Sequence, residues 1–132
     1  MATEILVNDG GAPARILPFF ASGGISGGMA VDVVDGTGTP DGWVIKAAAH
    51  GAAAATIGYA LTDVSSGETA SIITGKGIVI NAMTSGTIDE GDLLMVAADG
   101  SLAAGITTAN GAVAVALEIN SDNNTLARVI TL

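Results

Sequence analysis

The chain contains no cysteine, which excludes disulfide bonds and thiolate-based metal or redox sites. Aromatic residues make up 3% of its 132 residues. Cations are also scarce, since four Lys and Arg stand against 13 Asp and Glu, for a net charge of −9. Such a surface repels phosphate groups, so we expect neither nucleic acid nor an anionic membrane as a partner.

Small residues dominate what the chain does contain. Hydrophobic residues reach 49%, but 24 of them are alanine, and glycine adds another 19 residues. Because an alanine side chain buries little apolar area, the core must be extensive or must be completed by a partner. Glycine together with many Val, Ile and Thr residues favours strands and tight turns. We therefore predict one mostly β domain, a small sandwich or barrel of short antiparallel strands with at most one short helix.

The sequence shows no segment typical of secretion or membrane insertion. Glu4 and Asp9 stand where a signal peptide carries basic residues. The longest uncharged windows, Ile16 to Val31 and Ala47 to Thr62, fall short of the roughly 20 residues that a spanning helix needs. We expect a soluble protein.

Three short apolar runs separated by turn residues lie between Gly58 and Met83. They predict a strand ending at Leu61, a second over Thr69 to Thr74 and a third over Ile78 to Met83, which together form a β-meander. Its first hairpin has a copy near the C-terminus, because ALEINSDNNTLARVIT (residues 116–131) aligns with ALTDVSSGETASIIT (residues 60–74) after one inserted residue. The sequence thus predicts a repeated hairpin.

Other runs predict further strands and one short helical turn. Met29 to Val34 and Trp43 to Ala47 have hairpin spacing around a turn-rich loop, and the alanine-rich residues 47–55 favour a helical turn. Later strands are expected over Asp92 to Ala97, Ser101 to Ala103 and Ala112 to Ile119. In the last of these, Val, Leu and Ile alternate with Ala and Glu118, which indicates a half-buried strand.

Residues 1–21 form an extended N-terminal arm, distinct from a β-rich domain over residues 22–132. Pro13 and Pro18 disfavour both a helix and a central strand there. The arm carries apolar residues that call for a surface to lie on: Ile5, Leu6, Val7, Ile16, Leu17, Phe19 and Phe20. Two alternatives stay open, that the arm packs over its own domain or that it docks on another subunit by strand addition.

Chemical motifs are weak throughout. Gly24-Ile25-Ser26-Gly27-Gly28 matches a nucleophile elbow, but a predicted strand follows it where that motif needs a helix. His50 has no carboxylate nearby in sequence, and Gly75-Lys76-Gly77 lacks the spacing of a phosphate loop. Alternating oxygen-bearing residues at 35–41 and 120–124 lack the Gly and Glu of a calcium loop. We predict no catalytic residue, no metal and no cofactor.

The overall pattern resembles the head decoration, or capsid cement, proteins of tailed bacteriophages, including the lambda type. The similarity rests on GAAAATIGYALTDVSSGETASIITGKGIVINA (residues 51–82), on TIDEGDLLMVAADGSLAAG (residues 87–105) and on the AVALE strand (residues 114–118). It extends loosely over residues 24–132. The arm departs from the family, since it is more apolar than that of the lambda-type proteins, and we expect its apolar residues to contact the capsid or a neighbouring subunit.

The resemblance implies a non-enzymatic virion protein on the outer surface of a capsid. Proteins of this family commonly form trimers and clamp neighbouring major capsid proteins, so both the major capsid protein and further copies of this chain are the expected partners. The alternative is a β-sandwich module for glycan binding or adhesion, although such modules usually expose more aromatic residues. A hydrolase would require Ser26 and His50 to converge.

Overall fold

The computed structural model describes residues 5–8, 15–34, 44–47, 56–97, 100–104, 112–123 and 125–132, which are the basis of every structural statement below. Within this part of the chain the regular secondary structure is entirely β. The strands are β1 (Leu6–Asn8), β2 (Arg15–Ala21), β3 (Ala30–Val34), β4 (Val44–Ala47), β5 (Gly58–Ala60), β6 (Thr69–Thr74), β7 (Val79–Thr84), β8 (Leu93–Val96), β9 (Leu102–Ala103), β10 (Ala114–Ala116) and β11 (Thr125–Thr131). The predicted all-β, barrel-like fold is confirmed.

The first five-stranded barrel contains β2 to β6. Its strands close in the order β2-β4-β3-β5-β6, and β2 pairs with β6 over residues Arg15 to Phe20. The β2–β4 pair is parallel, while the other pairs are antiparallel. The predicted hairpin of β3 and β4 is therefore confirmed.

A second set of strands, β7 to β11, forms a sheet with β1 at one edge in the order β1-β7-β11-β10-β8-β9. An additional parallel pair, Thr84 with Leu102, joins β7 to β9. Because this pair links the two ends of the run β7-β11-β10-β8-β9, these five strands also close on themselves. The strand β1 lies outside that closure, on the edge of β7.

The two barrels are copies of one five-stranded unit. Replacing β2, β4, β3, β5 and β6 by β7, β9, β8, β10 and β11 reproduces every pairing and its direction. Backbone hydrogen bonds repeat as well. In the first repeat, Ile57 N–H donates to Val31 C=O and Ala60 N–H donates to Met29 C=O. In the second repeat, Val113 N–H donates to Leu94 C=O and Ala116 N–H donates to Asp92 C=O. We call residues 15–74 the first repeat and residues 78–131 the second repeat.

A short motif marks the same bend in both repeats. Ser22-Gly23-Gly24-Ile25 in the first repeat corresponds to Ser85-Gly86-Thr87-Ile88 in the second. Ile25 bridges Val64, and Ile88 bridges Asn120, in the same antiparallel manner. Three residues further on, Gly28 and Gly91 adopt nearly the same positive φ, 87° and 86°. The repeated hairpin was predicted from the sequence, but this motif was not. The motif shows that the whole unit is duplicated.

Each barrel encloses its own apolar cluster. Val31, Ile45 and Ile72 fill the first barrel, while Ile80, Leu94, Leu102 and Val129 fill the second. Since successive residues of a strand face opposite sides, alternate residues of each strand form the outer faces of the barrels. Three outer-face residues of the first repeat, Ala30, Tyr59 and Ile73, belong to the buried cluster of the second barrel.

The predicted β-meander is wrong at its second turn. β5 and β6 form the expected hairpin, but β7 leaves β6 and pairs with β1 and β11 in the other barrel. Gly75 and Gly77, both at positive φ, turn the chain from one repeat into the next. Gly77 N–H donates to Thr131 C=O (2.9 Å), which ties this turn to the last strand. The Gly75-Lys76-Gly77 turn is thus the joint between the repeats.

The strand predicted over residues 112–119 is shorter, since β10 covers Ala114–Ala116. Ala114 and Ala116 face the core, while Leu117 and Ile119 are exposed. The predictions for residues 35–42 and 48–55, and for Trp43 and Asp99, lie outside the described residues.

Candidate interaction surfaces

The first part of the predicted arm packs on its own chain. The β1 backbone pairs with β7 through Leu6 and Asn8, which places Val7 between these two pairs. Ile5 is 5% exposed, lies in the second apolar cluster and accepts a 2.8 Å hydrogen bond from Asn81 N–H. For Ile5, the structure therefore supports packing on its own domain.

The second part of the predicted arm, β2, is a wall of the first barrel, yet much of its apolar surface faces solvent. Ile16, Leu17 and Phe20 are exposed, whereas Phe19 is half-buried against the first barrel's core. The structure thus separates Ile5 from the exposed apolar residues of β2. The division into an arm over residues 1–21 and a domain over residues 22–132 stays a prediction.

One residue difference accounts for the repeat to which β1 binds. Pro18 on β2 corresponds to Asn81 on β7, because Pro18 pairs with Ser71 of β6 as Asn81 pairs with Arg128 of β11. Asn81 donates its N–H to the β1 segment, but proline has no N–H to donate. At Pro18, β2 therefore lacks the donor that holds β1 on β7, and proline fits where a strand needs no N–H donor.

The packing between the two repeats depends on close backbone contact. Met83 N–H donates to Gly28 C=O (2.9 Å), and Ala30 N–H donates to Gly100 C=O (2.8 Å). A Cβ atom added at Gly28 would lie 2.6 Å from Leu126 Cδ2 and 3.0 Å from Asn81 C=O. Gly28 therefore allows the first repeat to approach β7 and β11 of the second.

Tyr59 belongs to this inter-repeat contact and not to a reactive site. Its ring is buried, and burial raises the pKa of its hydroxyl above the ordinary value. The hydroxyl lies 3.5 Å from Val113 C=O, which is a long hydrogen bond. A half-open cleft of about 140 Å³ lies beside it, but the hydroxyls of Thr56 and Thr131 in its lining bond to backbone carbonyls. The contacts of Tyr59 and Thr131 help to hold the joint between the repeats, while those of Thr56 lie within the first repeat.

The described residues also show what surrounds the other motifs. Ser26 N–H donates to Met29 Sδ (3.3 Å), and β3 follows, while His50 lies outside the described residues. Asn120 uses its amide to bind Thr84 and Thr125, so it supports the hairpin end. Within the described ranges, no group of three or more His, Cys, Asp or Glu could hold a metal ion. In the same ranges, no helix has the length and apolar character needed to cross a membrane.

No protein-family model matches the sequence. No curated protein is found to be similar to it either. Among solved structures, the chain is similar to the head fiber gp8.5 N base of bacteriophage phi29, with a TM-score of 0.70 and 17% sequence identity. The match covers 90% of this chain and 95% of the phi29 chain. The chain thus shares its fold with the base of a phage head fiber.

Proposed function

We propose that this protein is a non-enzymatic structural component of a phage virion that binds the outer surface of the head. The observation that carries the proposal is the near full-length structural match to the base of a phage head fiber. The chain spans almost the whole of that base, so the likeness involves the complete fold and not one hairpin. The match is to a protein of the phage head, which agrees with the decoration proteins that the sequence resembles.

The mechanism we propose is bridging of neighbouring major capsid proteins, in the manner of lambda-type decoration proteins. A copy that contacts two capsid subunits opposes their separation, and many weak contacts on one particle act together. The exposed apolar residues of β2, Ile16, Leu17 and Phe20, are the candidate contact sites for the capsid or for another subunit. Ile5, which the sequence analysis grouped with these residues, is buried within the chain and does not belong to this exposed set.

Self-association, with a homotrimer as the expected form, is the second part of the proposal. Both cores contain many alanines, and large apolar side chains remain exposed in each repeat, including Val33, Leu117 and Ile119. Such residues become stabilising when a partner covers them. Association between copies would thus complete cores that the single chain leaves thin.

A glycan-binding module is less well supported. Sugar-binding sites usually present exposed aromatic rings, but Tyr59 is buried and Phe19 is half-buried. Phe20 is the exposed aromatic residue in the described part of the chain. No observation on these residues favours a sugar site over a protein interface.

Virion occupancy tests the proposal directly. Quantitative mass spectrometry of purified particles of the phage that encodes the chain should find many copies per particle, and particles lacking it should release DNA at lower temperature. Absence from purified virions would refute a head-bound role. Full occupancy without any change in particle stability would refute bridging while leaving attachment in place.

The contact site is tested by adding purified protein to particles that lack it. Ile16→Lys places a charge on the exposed face of β2 and should reduce binding on the order of tenfold or more, if a central interface residue is lost. Thr62→Lys introduces the same side chain at an exposed position of the first repeat and is the control. Equal binding by both variants would exclude Ile16 from the contact.

A further inference from the structure

The two repeats use different surfaces where they meet. The first repeat contributes its outer face, whose residues Ala30, Tyr59 and Ile73 join the second apolar cluster, with Leu61 packed against it. The second repeat contributes the barrel end beside Gly100 and Val113, whose carbonyls accept from Ala30 N–H and the Tyr59 hydroxyl. Buried Ile80 and Val96 belong to the same cluster. Because the repeats share one architecture, the second has an equivalent outer face and the first has an equivalent barrel end.

In the described part of the chain, the corresponding barrel end of the first repeat remains partly exposed. Leu17 and Val33 are each 43% exposed, whereas their equivalents in the second repeat, Ile80 and Val96, are 0% and 1% exposed. Phe20 is also exposed, while its equivalent Met83 is half-buried and binds Gly28 through its backbone. Leu17 and Val33 lie at the barrel end, and Phe20 lies beside it on the outer side of β2. We call these three residues the barrel mouth.

The outer face of the second repeat is apolar although no other part of the described chain covers it completely. Strand pairing and backbone hydrogen bonds align the residues as follows, first repeat before second: Ala30 with Leu93, Tyr59 with Val115, Leu61 with Leu117, and Ile73 with Ile130. Leu117 is 42% exposed, and the other three second-repeat residues are half-buried. We call Leu93, Val115, Leu117 and Ile130 the outer patch.

The two equivalent glycines, Gly28 and Gly91, also differ in whether another part of the chain contacts them. A Cβ atom at Gly28 would meet Leu126, Asn81 and Met83 of the second repeat, but a Cβ atom at Gly91 would meet nothing within 4 Å. Both glycines have nearly the same positive φ. The second repeat therefore keeps the backbone shape of a docking surface, including its glycine, at a place where no described residue docks.

We propose that the outer patch of one copy docks on the barrel mouth of a second copy, in the way the first repeat docks on the second within each chain. The occupant is another copy of this chain because both complementary surfaces, and the manner of fitting them together, occur in the single molecule. The contact is heterologous, since two different surfaces meet, so it builds a ring or a filament and not a twofold dimer. A ring of three copies would contain six repeats in equivalent packing.

This inference rests on the proposed self-association but not on capsid binding. It specifies which residues meet: Gly91 of one copy should lie against β2 and β6 of the next, as Gly28 lies against β7 and β11. Thr69 is the equivalent of Leu126, the residue nearest to Gly28, because Thr69 pairs with Phe20 as Leu126 pairs with Met83. Gly91 and Thr69 of adjacent copies are therefore expected to be neighbours.

Disulfide crosslinking tests this arrangement cleanly because the natural chain has no cysteine. Protein carrying both Gly91→Cys and Thr69→Cys should give, after mild oxidation, a ladder of linked chains that ends at three and collapses on reduction. Each single variant should remain largely unlinked. A control pair, Asp122→Cys with Thr69→Cys, should give no ladder, since Asp122 lies at the hairpin end. An unlinked double variant in protein that still self-associates would overturn the proposed interface.

A mixing experiment tests the two surfaces separately. Leu117→Asp damages the outer patch, and Val33→Asp damages the barrel mouth, at exposed positions where the fold should tolerate the change. Each variant alone should associate at least about tenfold more weakly than the natural protein. An equimolar mixture should form one-to-one heterodimers, because each copy retains the surface that the other lacks. Sedimentation that finds unchanged oligomers for either variant, or no heterodimer in the mixture, would refute the proposal.

The outcomes separate this inference from the proposed function. A linked ring that does not bind phage particles would contradict head decoration and leave the interface standing. Protein that binds particles but gives neither the ladder nor the heterodimer would contradict the interface and leave decoration standing. Natural protein that stays monomeric at high concentration would overturn the interface as well.

Discussion

The two repeats of this protein have the same strands, the same pairings and the same glycine turns, yet they differ in what covers them. The second barrel has its end closed by the first repeat and the edge of β7 paired with β1. The first barrel has an exposed mouth, and Pro18 marks the corresponding edge of β2. Equivalent positions therefore differ in burial because of their neighbours and not because of their local strand pattern.

This difference locates the surfaces open to a partner. A duplicated unit whose outer face fits its own copy contains the geometry of a repeating contact. In the described part of one chain that contact forms once, which leaves one surface of each kind partly exposed. The following predictions test how strongly the two repeats differ.

Truncation of the N-terminal segment should have the largest effect on stability. Deleting residues 1–18 removes β1 and the part of β2 from Arg15 to Pro18, which pairs with β6 in the first barrel. We expect loss of cooperative unfolding, measured by circular dichroism during chemical denaturation. The sequence analysis expected residues 22–132 to form a domain of their own, so this experiment decides the question.

Adding a peptide of residues 1–21 to the truncated protein is the control. Recovery of a cooperative transition would show that the loss comes from the missing strands. A truncated protein that unfolds as cooperatively as the intact chain would mean that the arm is dispensable for folding.

Substitution of the two equivalent glycines should have the next largest effect on stability, and the effect should differ between the repeats. Gly28→Ala and Gly91→Ala both place a side chain at positive φ, which costs about 1 to 2 kcal/mol. Gly28→Ala also forces contacts with backbone atoms of Asn81 and Met83, so we expect it to lower the free energy of unfolding by about 3 kcal/mol or more. Denaturant titrations of dilute protein measure both, and equal losses would mean that the inter-repeat contact yields easily.

Two isoleucines test burial in the segment that the sequence treated as one arm. Ile5→Ala should lower the free energy of unfolding by about 2 to 4 kcal/mol, because it leaves a cavity in the second cluster. Ile16→Ala, at a position 47% exposed, should change it by less than about 1 kcal/mol. Thermal and denaturant unfolding measure the difference. Equal effects would contradict the division of this segment into a buried and an exposed part.

Substitution of Tyr59 should have the smallest effect on the free energy of unfolding at neutral pH and a different effect at alkaline pH. Tyr59→Phe removes one long hydrogen bond, so we expect a loss below about 1 kcal/mol near pH 7. Burial raises the pKa of the folded-state hydroxyl above 10.0, so the unfolded tyrosine ionises first as pH rises. The tyrosine contribution to stability is thus complete below pH 10.0 and declines above it.

The alkaline decline should be weaker in Tyr59→Phe, which cannot ionise at this position. Tyr59 is the single tyrosine of the chain, so tyrosinate absorbance follows its titration without interference. A titration at the ordinary pKa in folded protein would contradict burial of the hydroxyl.

Local patterns were sufficient to predict several strands. Thr69 to Thr74 is a strand with the predicted bounds, because β-branched residues and flanking turn residues act within a few positions. The hairpin of β3 and β4 and the copied hairpin of β10 and β11 follow for the same reason. The extension of the repeat to the whole unit escaped notice because the signal, Ser-Gly-x-Ile with a glycine three positions later, consists of few residues.

The candidate site was harder to predict because exposure depends on distant parts of the chain. Ile5 and Ile16 look alike in sequence, but one enters the second cluster and the other faces solvent. The outer patch was missed altogether, since alternating Val, Leu and Ile in residues 113–119 suggested a buried face. The alanines on the other side of β10 fill the narrow barrel interior instead.

The sequence by itself determined the all-β character, the turns and the absence of thiol chemistry, because strand propensity, glycine conformation and composition act locally. Only the tertiary structure decided that β7 leaves β6 for a second barrel, that β1 pairs with β7, and that the two repeats differ in exposure. These outcomes depend on which surfaces meet between residues that are far apart in sequence. A backbone N–H donor is present at Asn81 but missing at Pro18, and the glycine at position 28 permits close contact between the repeats. Such contacts have no signature in the spacing of neighbouring residues.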